Sequence, residues 1–476
     1  MSRNFSAICA RLSLRKPQRE SLEILSKVAD LISLKKDADP SKSLEFIKPQ
    51  FPTVTDFERE FPSLCFALAT GVGKTRLMGA FISYLFLEKG IKHFFVLAPN
   101  LTIYNKLIAD FTPYTKKYVL QGISEFAINP PEIITGDNYE TGRGIRKRDL
   151  LGESGVHINI FNISKINSEV RGGNAPRIRR LAEYIGQSYF EYLAALPDLV
   201  LLMDESHRYR ASAGVRAINE LRPILGLELT ATPQTEAAGR AQPFKNVIYS
   251  YPLSTALIDG FVKEPVVATR ENFDASQYSA EQLERVKLED GIVIHENVKA
   301  ELVVYARKND RPIVKPFMLV VAADTKHAER IVADIKQDSF FEGRYKDRVI
   351  TVHSNQRGEE ADDTVAKLLA VEDPKEPTEI VVHVNMLKEG WDVTNLYTIV
   401  PLRAANARNL VEQSIGRGLR LPYGERTGVK IVDRLNIVSH DKFQEIVDAA
   451  NDPNSIKGPQ EPCVFYRPAN LQCAPR

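Results

Sequence analysis

Leu68-Ala69-Thr70-Gly71-Val72-Gly73-Lys74-Thr75 is the stretch on which the reading of this chain turns. An apolar run, Leu64 to Ala67, leads into it, and a helix-like segment, Arg76 to Leu87, follows. Strand, glycine-rich turn and helix in that order form the setting of a phosphate-binding loop. Gly71 and Gly73 remove side chains where the backbone from Thr70 through Val72 must curl with its N–H groups turned inward. Lys74 would then reach β- and γ-phosphate oxygens, Thr75 would offer a hydroxyl to Mg2+, and the helix N-terminus adds partial positive charge. The strict pattern has glycine at its first position, where this chain has Leu68. The loop therefore needs partners elsewhere in the chain.

Composition bounds the rest. At 476 residues the chain exceeds a single hydrophobic core and suits two domains. A hydrophobic share of 43% and a charged share of 26% are ordinary for a folded water-exposed protein. The net charge of +2 leaves any nucleic-acid surface to a local patch. Cys9, Cys65, Cys463 and Cys473 lack metal-ligand spacing and read as unpaired thiols of a reducing compartment. Met1 to Arg11 lacks the apolar core of a secretion signal, and no apolar run reaches membrane-spanning length. The expectation is a cytoplasmic protein without membrane contact.

The chain divides on paper into an N-terminal segment (1–55), a first α/β domain (56–259), a second (260–455) and an irregular tail (456–476). In the first domain, the runs Leu64–Ala69, His93–Ala98, His157–Asn162, Val200–Met203 and Leu227–Leu229 alternate with helical stretches, which predicts a parallel sheet with right-handed crossovers. Ligands then gather at the carboxyl ends of the strands. Ala98-Pro99-Asn100-Leu101-Thr102 and Asn162-Ile163-Ser164-Lys165 stand at such ends, readable as sugar–phosphate contacts or as helix caps. The runs Arg143–Arg148 and Arg177–Arg180 admit a nucleic-acid role or plain solvated faces. In the second domain, 263–316 reads as a small β-rich extension, and βα alternation resumes at Pro316–Ala322 without a second phosphate loop.

Asp204-Glu205-Ser206-His207 ends the fourth apolar run. Two adjacent acids at a buried strand tip are unfavourable unless they meet a cation. Asp204 would hold Mg2+ through water, and Glu205 would polarise an attacking water. His207 either relays nucleotide state or caps a turn, and Thr230-Ala231-Thr232 sets two hydroxyls at the next strand end. Gln18, beside Pro17 at a helix start, has an amide able to donate to and accept from adenine. Farther on, Gly390 permits an unusual backbone angle and Asp392 could contact ribose, while Trp391 reads as packed. In Gln413-Ser414-Ile415-Gly416-Arg417-Gly418-Leu419-Arg420, two arginines three apart share a helical face and could neutralise charge developing on a γ-phosphate.

Together LATGVGKT, DESH, TAT, KEGWD and QSIGRGLR follow the order of a superfamily 2 (DEAD/DEAH-box-like) helicase or translocase. The chain most resembles the Res subunit of type III restriction enzymes, through INIFNISKIN (158–167), YSYPLSTALIDGFVKEP (249–265), EQSIGRGLRLP (412–422) and LNIVSHDKFQEIVDAAN (435–451). The resemblance implies two tandem RecA-like lobes with MgATP between them, moving on duplex DNA, with a methyltransferase-type specificity subunit as partner. It assigns Gln18, Lys74, Thr75, Asp204, Glu205, Gln413, Arg417 and Arg420 to ATP binding and hydrolysis. Ser414 stands where many relatives have arginine, and no paired-acid and lysine nuclease motif is found, so DNA cleavage is not expected. The alternatives are an ATPase-inactive nucleic-acid-binding remnant and a motor fragment of a restriction complex.

Overall fold

The computed structural model describes residues 2–115, 117–141, 155–166, 177–182, 186–210, 212–237, 240–270, 273–353, 367–368, 370–384, 393–402 and 418–440. The chain forms two compact units, Met1–Pro252 and Leu253–Arg476. Among the described residues no helix is long and apolar enough to cross a membrane.

The first unit is built on a seven-stranded sheet of β1 (Ser63–Leu68), β2 (His93–Ala98), β3 (Glu132–Thr135), β4 (His157–Asn162), β5 (Leu199–Asp204), β6 (Leu225–Thr230) and β7 (Val247–Tyr251). The strands lie in the order β7-β1-β6-β5-β2-β4-β3, and every pairing is parallel. β1, β5 and β6 are buried along their whole length, as strands covered on both faces must be. The five expected strands are present; β3 and β7, at the two edges, are additional. β7 (VIYSY) alternates in burial and reads from sequence as half-exposed chain.

Residues 1–55 belong to this unit. Its helices α1 (Arg3–Arg11) and α2 (Lys16–Leu31) pack on α4 (Lys74–Lys89), and α3 (Pro40–Ile47) packs on α2. Lys36 donates to the carbonyl of Leu196 (2.7 Å) and so ties the polar stretch after α2 to the segment that leads into Leu199–Asp204. In the run 177–180, Arg179 is engaged structurally: it pairs with Glu220 (2.6 Å) and lies 3.9 Å from the Phe190 ring centroid. The run 143–148 lies outside the described residues.

The second unit holds β8 (Glu264–Ala268), β9 (Phe317–Val321), β10 (Val349–His353), β11 (Ile380–Val384), β12 (Leu396–Pro401) and β13 (Arg434–Val438). They form one parallel sheet in the order β8-β13-β12-β9-β11-β10. The β-rich extension expected over 263–316 is corrected here. Apart from β8, its main element is a 29-residue helix, Ala280–Lys308. Local runs such as Ile292-Val293-Ile294 mimic strands, but Leu288, Gly291, His295, Val298, Leu302 and Ala306 recur at helical spacing and are buried. Ser279 and Gln282 close its N-terminus as a capping box. A Cβ on Gly291 would come within 2.6 Å of Val400, so the helix lies directly on β12.

A buried charge cluster is built into the first sheet. Glu228 of β6 is fully buried and accepts from Ser63 Oγ (2.8 Å) and Asn246 Nδ2 (3.1 Å). Arg210 pairs with it at 2.6 Å and Arg59 at 3.4 Å. Burial opposes its charge, yet the two guanidiniums and these hydrogen bonds hold its carboxyl below the usual range. Arg59 also donates to the Tyr209 carbonyl (3.3 Å) and Arg210 reaches Glu58 (2.6 Å), so the cluster clamps the turn that follows β5. Glu228→Gln keeps the shape but removes the carboxylate that pairs with buried Arg59 and leaves Arg210 with Glu58 alone, and should cost about 3–5 kcal/mol. Denaturant unfolding followed by near-UV dichroism checks this; a loss under about 1 kcal/mol would contradict the clamp.

Candidate active site

The parallel strands bring the motifs to one edge of the first sheet. β6 lies between β1 and β5, with Thr230 opposite Ala67 and Leu229 opposite Asp204, so the three tips are level. The loop after β1, the acids ending β5 and the threonines ending β6 are thereby neighbours, at the carboxyl edge where α/β sheets bind ligands.

In the loop, Gly71 and Gly73 have φ of 88° and 93°, a region that excludes most side chains. Val72 is buried, and Thr70, Lys74 and Thr75 are half-buried at the start of α4. Lys74 Nζ lies 2.8 Å from Glu205 Oε1, with their side chains 12% and 21% exposed. Asp204 ends β5 and is nearly buried. Its carboxyl is pushed up to about 6, first by burial and then by the charge of Glu205, against the pull of Lys74 and Lys106. Glu205 takes φ 49°, ψ 53°. Such left-handed backbone at a non-glycine residue costs on the order of 1–3 kcal/mol and marks sites held in place by their surroundings.

His207 faces the threonines: Nδ1 is 3.0 Å from Thr230 Oγ1, 3.2 Å from Thr232 Oγ1 and 3.7 Å from Glu205 Oε2. The backbone N–H of Thr232 donates to Thr230 Oγ1 (3.0 Å), which fixes the Thr230 hydroxyl as well. This links the acid turn to the end of β6. Asn100 and Asn162 both act as caps: Asn100 Oδ1 accepts from Ile103 N at 3.0 Å and Asn162 Oδ1 from Ser164 N at 2.9 Å.

Gln18 joins the loop from α2. Its Nε2 donates to the Gly73 carbonyl (2.8 Å) and its Oε1 accepts from Arg15 N (2.8 Å). Arg15 was not legible as a site residue; its Nη1 contacts the Gly71 carbonyl at 3.4 Å. The only hint was its place three residues before Gln18. The Arg59–Glu228–Arg210 clamp was missed as well, since one glutamate in an apolar run gives no sign of its counter-charges.

In the second unit Arg420 is described and half-buried, just after Leu419, whose carbonyl accepts from Lys263 N (2.6 Å). Lys263 is itself fully buried, with Nζ on the carbonyls of Thr394 (2.8 Å) and Leu396 (2.9 Å). Gly390, Trp391, Asp392, Gln413 and Arg417 lie outside the described residues.

Residues 11–235 match the family described as the Res subunit of type III restriction enzymes. Over 410 residues the chain is 23% identical to the endonuclease subunit of the type I restriction enzyme EcoKI from Escherichia coli strain K12. That match covers 78% of this chain and 32% of the relative, so the chain spans about a third of the relative's length. Among solved structures, the ATP-dependent type ISP restriction-modification enzyme LlaBIII bound to DNA superposes with a TM-score of 0.52 at 14% identity, covering 93% of this chain and 30% of that one. The DUF1998 helicase MrfA bound to DNA and AMPPNP gives 0.53 at 13% identity, covering 96% and 54%. Each unit has a RecA-like fold. Residues 11–235, which lie within the first unit, are thus similar to the Res subunit of type III restriction enzymes.

Proposed function

We propose that the chain is an ATP-hydrolysing motor that moves on duplex DNA. The observation that carries this reading is the 2.8 Å pair between Lys74 and Glu205, which sets a loop cation and a strand-tip carboxylate against each other beside buried Asp204. A site built for a triphosphate needs this cation, a base and a metal-holding acid together. The donor set fits Mg2+: the Thr75 hydroxyl and the Asp204 carboxylate, partly through water, are hard oxygen ligands. When bound, Mg2+ would neutralise charge on the triphosphate.

The residues of the chain would act in sequence. The loop N–H groups from Thr70 to Thr75 bind phosphate oxygens, and Lys74 transfers its ammonium from Glu205 to the β/γ oxygens. Freed, Glu205 accepts a proton from the attacking water as that water's oxygen bonds to the γ-phosphorus and the bond to the bridging oxygen of ADP breaks. Gln413, Arg417 and Arg420 are proposed to act on the departing phosphoryl charge, and Gly390 and Asp392 on the nucleoside. His207, held by Thr230 and Thr232, is placed to respond when Glu205 changes partner.

DNA as the track is supported by LlaBIII and MrfA, whose structures are both bound to DNA. A second reading, the motor part of a restriction complex with a methyltransferase-type specificity subunit, is favoured by the match to the EcoKI subunit. Co-purification with a DNA methyltransferase tests it; a chain isolated alone from its native source would count against it.

Lys74→Ala should abolish nucleotide-dependent activity, and Glu205→Gln should still bind ATP while turning over at least about 100-fold more slowly. Steady-state phosphate release with a parallel binding titration checks both, and parent-rate hydrolysis in either variant would refute its assigned role. Arg420→Ala should lower kcat by on the order of 10³ with little change in KM, because its contact matters as charge develops. Equal losses in kcat and affinity would instead mark a ground-state contact. Parent hydrolysis should rise with duplex DNA; equal or greater stimulation by RNA would refute the proposed track.

A further inference from the structure

A buried lysine stands just ahead of β8 in the second unit. Lys263 is fully buried, and its Nζ donates to the carbonyls of Thr394 (2.8 Å) and Leu396 (2.9 Å). The same nitrogen lies 3.7 Å from the centroid of the Tyr397 ring. Burial pulls the amine well below the ordinary lysine range, against the charges of Glu372 and Asp433. Charged or neutral, it keeps hydrogens for both carbonyls. Sheet geometry explains why these two carbonyls are available. The Asn395 carbonyl accepts from Phe317 N of β9 (3.0 Å), so the carbonyls before and after it face the other way. On that side β13 pairs with β12 only from Thr398 onward. Lys263 supplies the donors ahead of that point. The anchor is itself held, because Thr394 N and Oγ1 both donate to Glu372 Oε1 (2.7 and 2.8 Å).

The backbone of the same residue holds a third place. Lys263 N donates to the Leu419 carbonyl at 2.6 Å. Leu419 is fully buried, and a Cβ on Gly418 would lie 2.7 Å from Leu435 of β13, so the chain here presses against the sheet. Holding the Leu419 carbonyl fixes the peptide plane that leads into Arg420. Farther on, Arg426 returns to the same run: Nε donates to the Val262 carbonyl and Nη2 to the Leu257 carbonyl, both at 3.1 Å. Arg420 therefore sits in a stretch fastened at both ends to residues 257–263, and the Lys263 side chain ties that run to the start of β12.

Resting on the ATP-hydrolysis reading above, we propose that Lys263 is a positioning residue for Arg420: clamped to the Thr394 and Leu396 carbonyls, it sets the backbone from which the arginine meets the departing phosphoryl charge. A contact that matters as charge develops loses most of its value when its group is displaced by about 1 Å. Removing the amine lowers turnover and leaves nucleotide affinity in place.

The test is a double-mutant cycle on the full chain: parent, Lys263→Met, Arg420→Ala and the double variant. Phosphate release from ATP with Mg2+ and duplex DNA gives kcat and KM, at a temperature where circular dichroism shows every variant folded. Lys263→Met keeps an apolar stem of similar length but has no hydrogen to donate. It should lower kcat on the order of 10²-fold with KM within about threefold of the parent. On the Arg420→Ala background it should lower the residual kcat by less than about threefold, because the group it positions is already gone. The same loss on both backgrounds is what a merely structural role gives, and it would overturn the proposal. Parent kcat in Lys263→Met, or a loss carried by KM, would overturn it too. If Lys263→Met does not fold, Lys263→Gln, which keeps one amide donor, decides by the same cycle and the same criteria. Parent kcat in Arg420→Ala would sink the proposal and leave ATP hydrolysis standing. A parent chain that hydrolyses no ATP would remove the motor reading and this inference with it.

Discussion

A cation at the mouth of a glycine-rich loop cannot be left without a counter-charge once most of its surface is covered. Here the counter-charge is Glu205, 2.8 Å from the Lys74 ammonium. Much of the first unit serves to make that meeting possible. The parallel order β1-β6-β5 sets loop and acids one strand apart on a level edge. The left-handed backbone of Glu205 turns its carboxylate back toward the loop, at a cost that the surrounding structure offsets. Behind the turn, Arg59 and Arg210 anchor Tyr209 and the residue after it to Glu228 in the sheet. In front, His207 ties the same turn to Thr230 and Thr232. In the proposed function the pair is the resting state of a site whose two charges take other partners when a triphosphate arrives.

The loop is held as firmly as the acids. Gln18 and Arg15 grip the carbonyls of Gly73 and Gly71 from α2, so the N-terminal segment is part of the site's frame. Sequence position hides this, because more than fifty residues separate the partners and only the packing of α2 on α4 closes the distance.

Much of this edge could be read in the sequence. Continuous apolar runs such as His93–Ala98 and His157–Asn162 matched their strands end to end, since strands buried on both faces carry no alternation to blur them. The placement of LATGVGKT and DESH at strand tips followed from the same runs. What stayed hidden is of a different kind. Edge strand β7 is half-exposed and lacks such a run. The helix Ala280–Lys308 carries β-branched clusters that imitate strands, and its capping box is the local signal that outweighs them. Glu228, Arg59 and Arg210 lie far apart in the chain and are joined only by tertiary structure. Gly390, Asp392, Gln413 and Arg417 lie outside the described residues.

The central claim is that Lys74 and Glu205 exchange partners when nucleotide binds, the lysine passing to phosphate and the glutamate becoming free to accept a proton. A crystal structure of the chain with a non-hydrolysable ATP analogue and Mg2+ measures this directly. The account predicts Lys74 Nζ within hydrogen-bond distance of a β- or γ-phosphate oxygen, at roughly 2.7–3.0 Å. Glu205 should then have left Lys74 and face the water in line with the γ-phosphorus. An analogue seated in the loop with the Lys74–Glu205 pair still closed would contradict it.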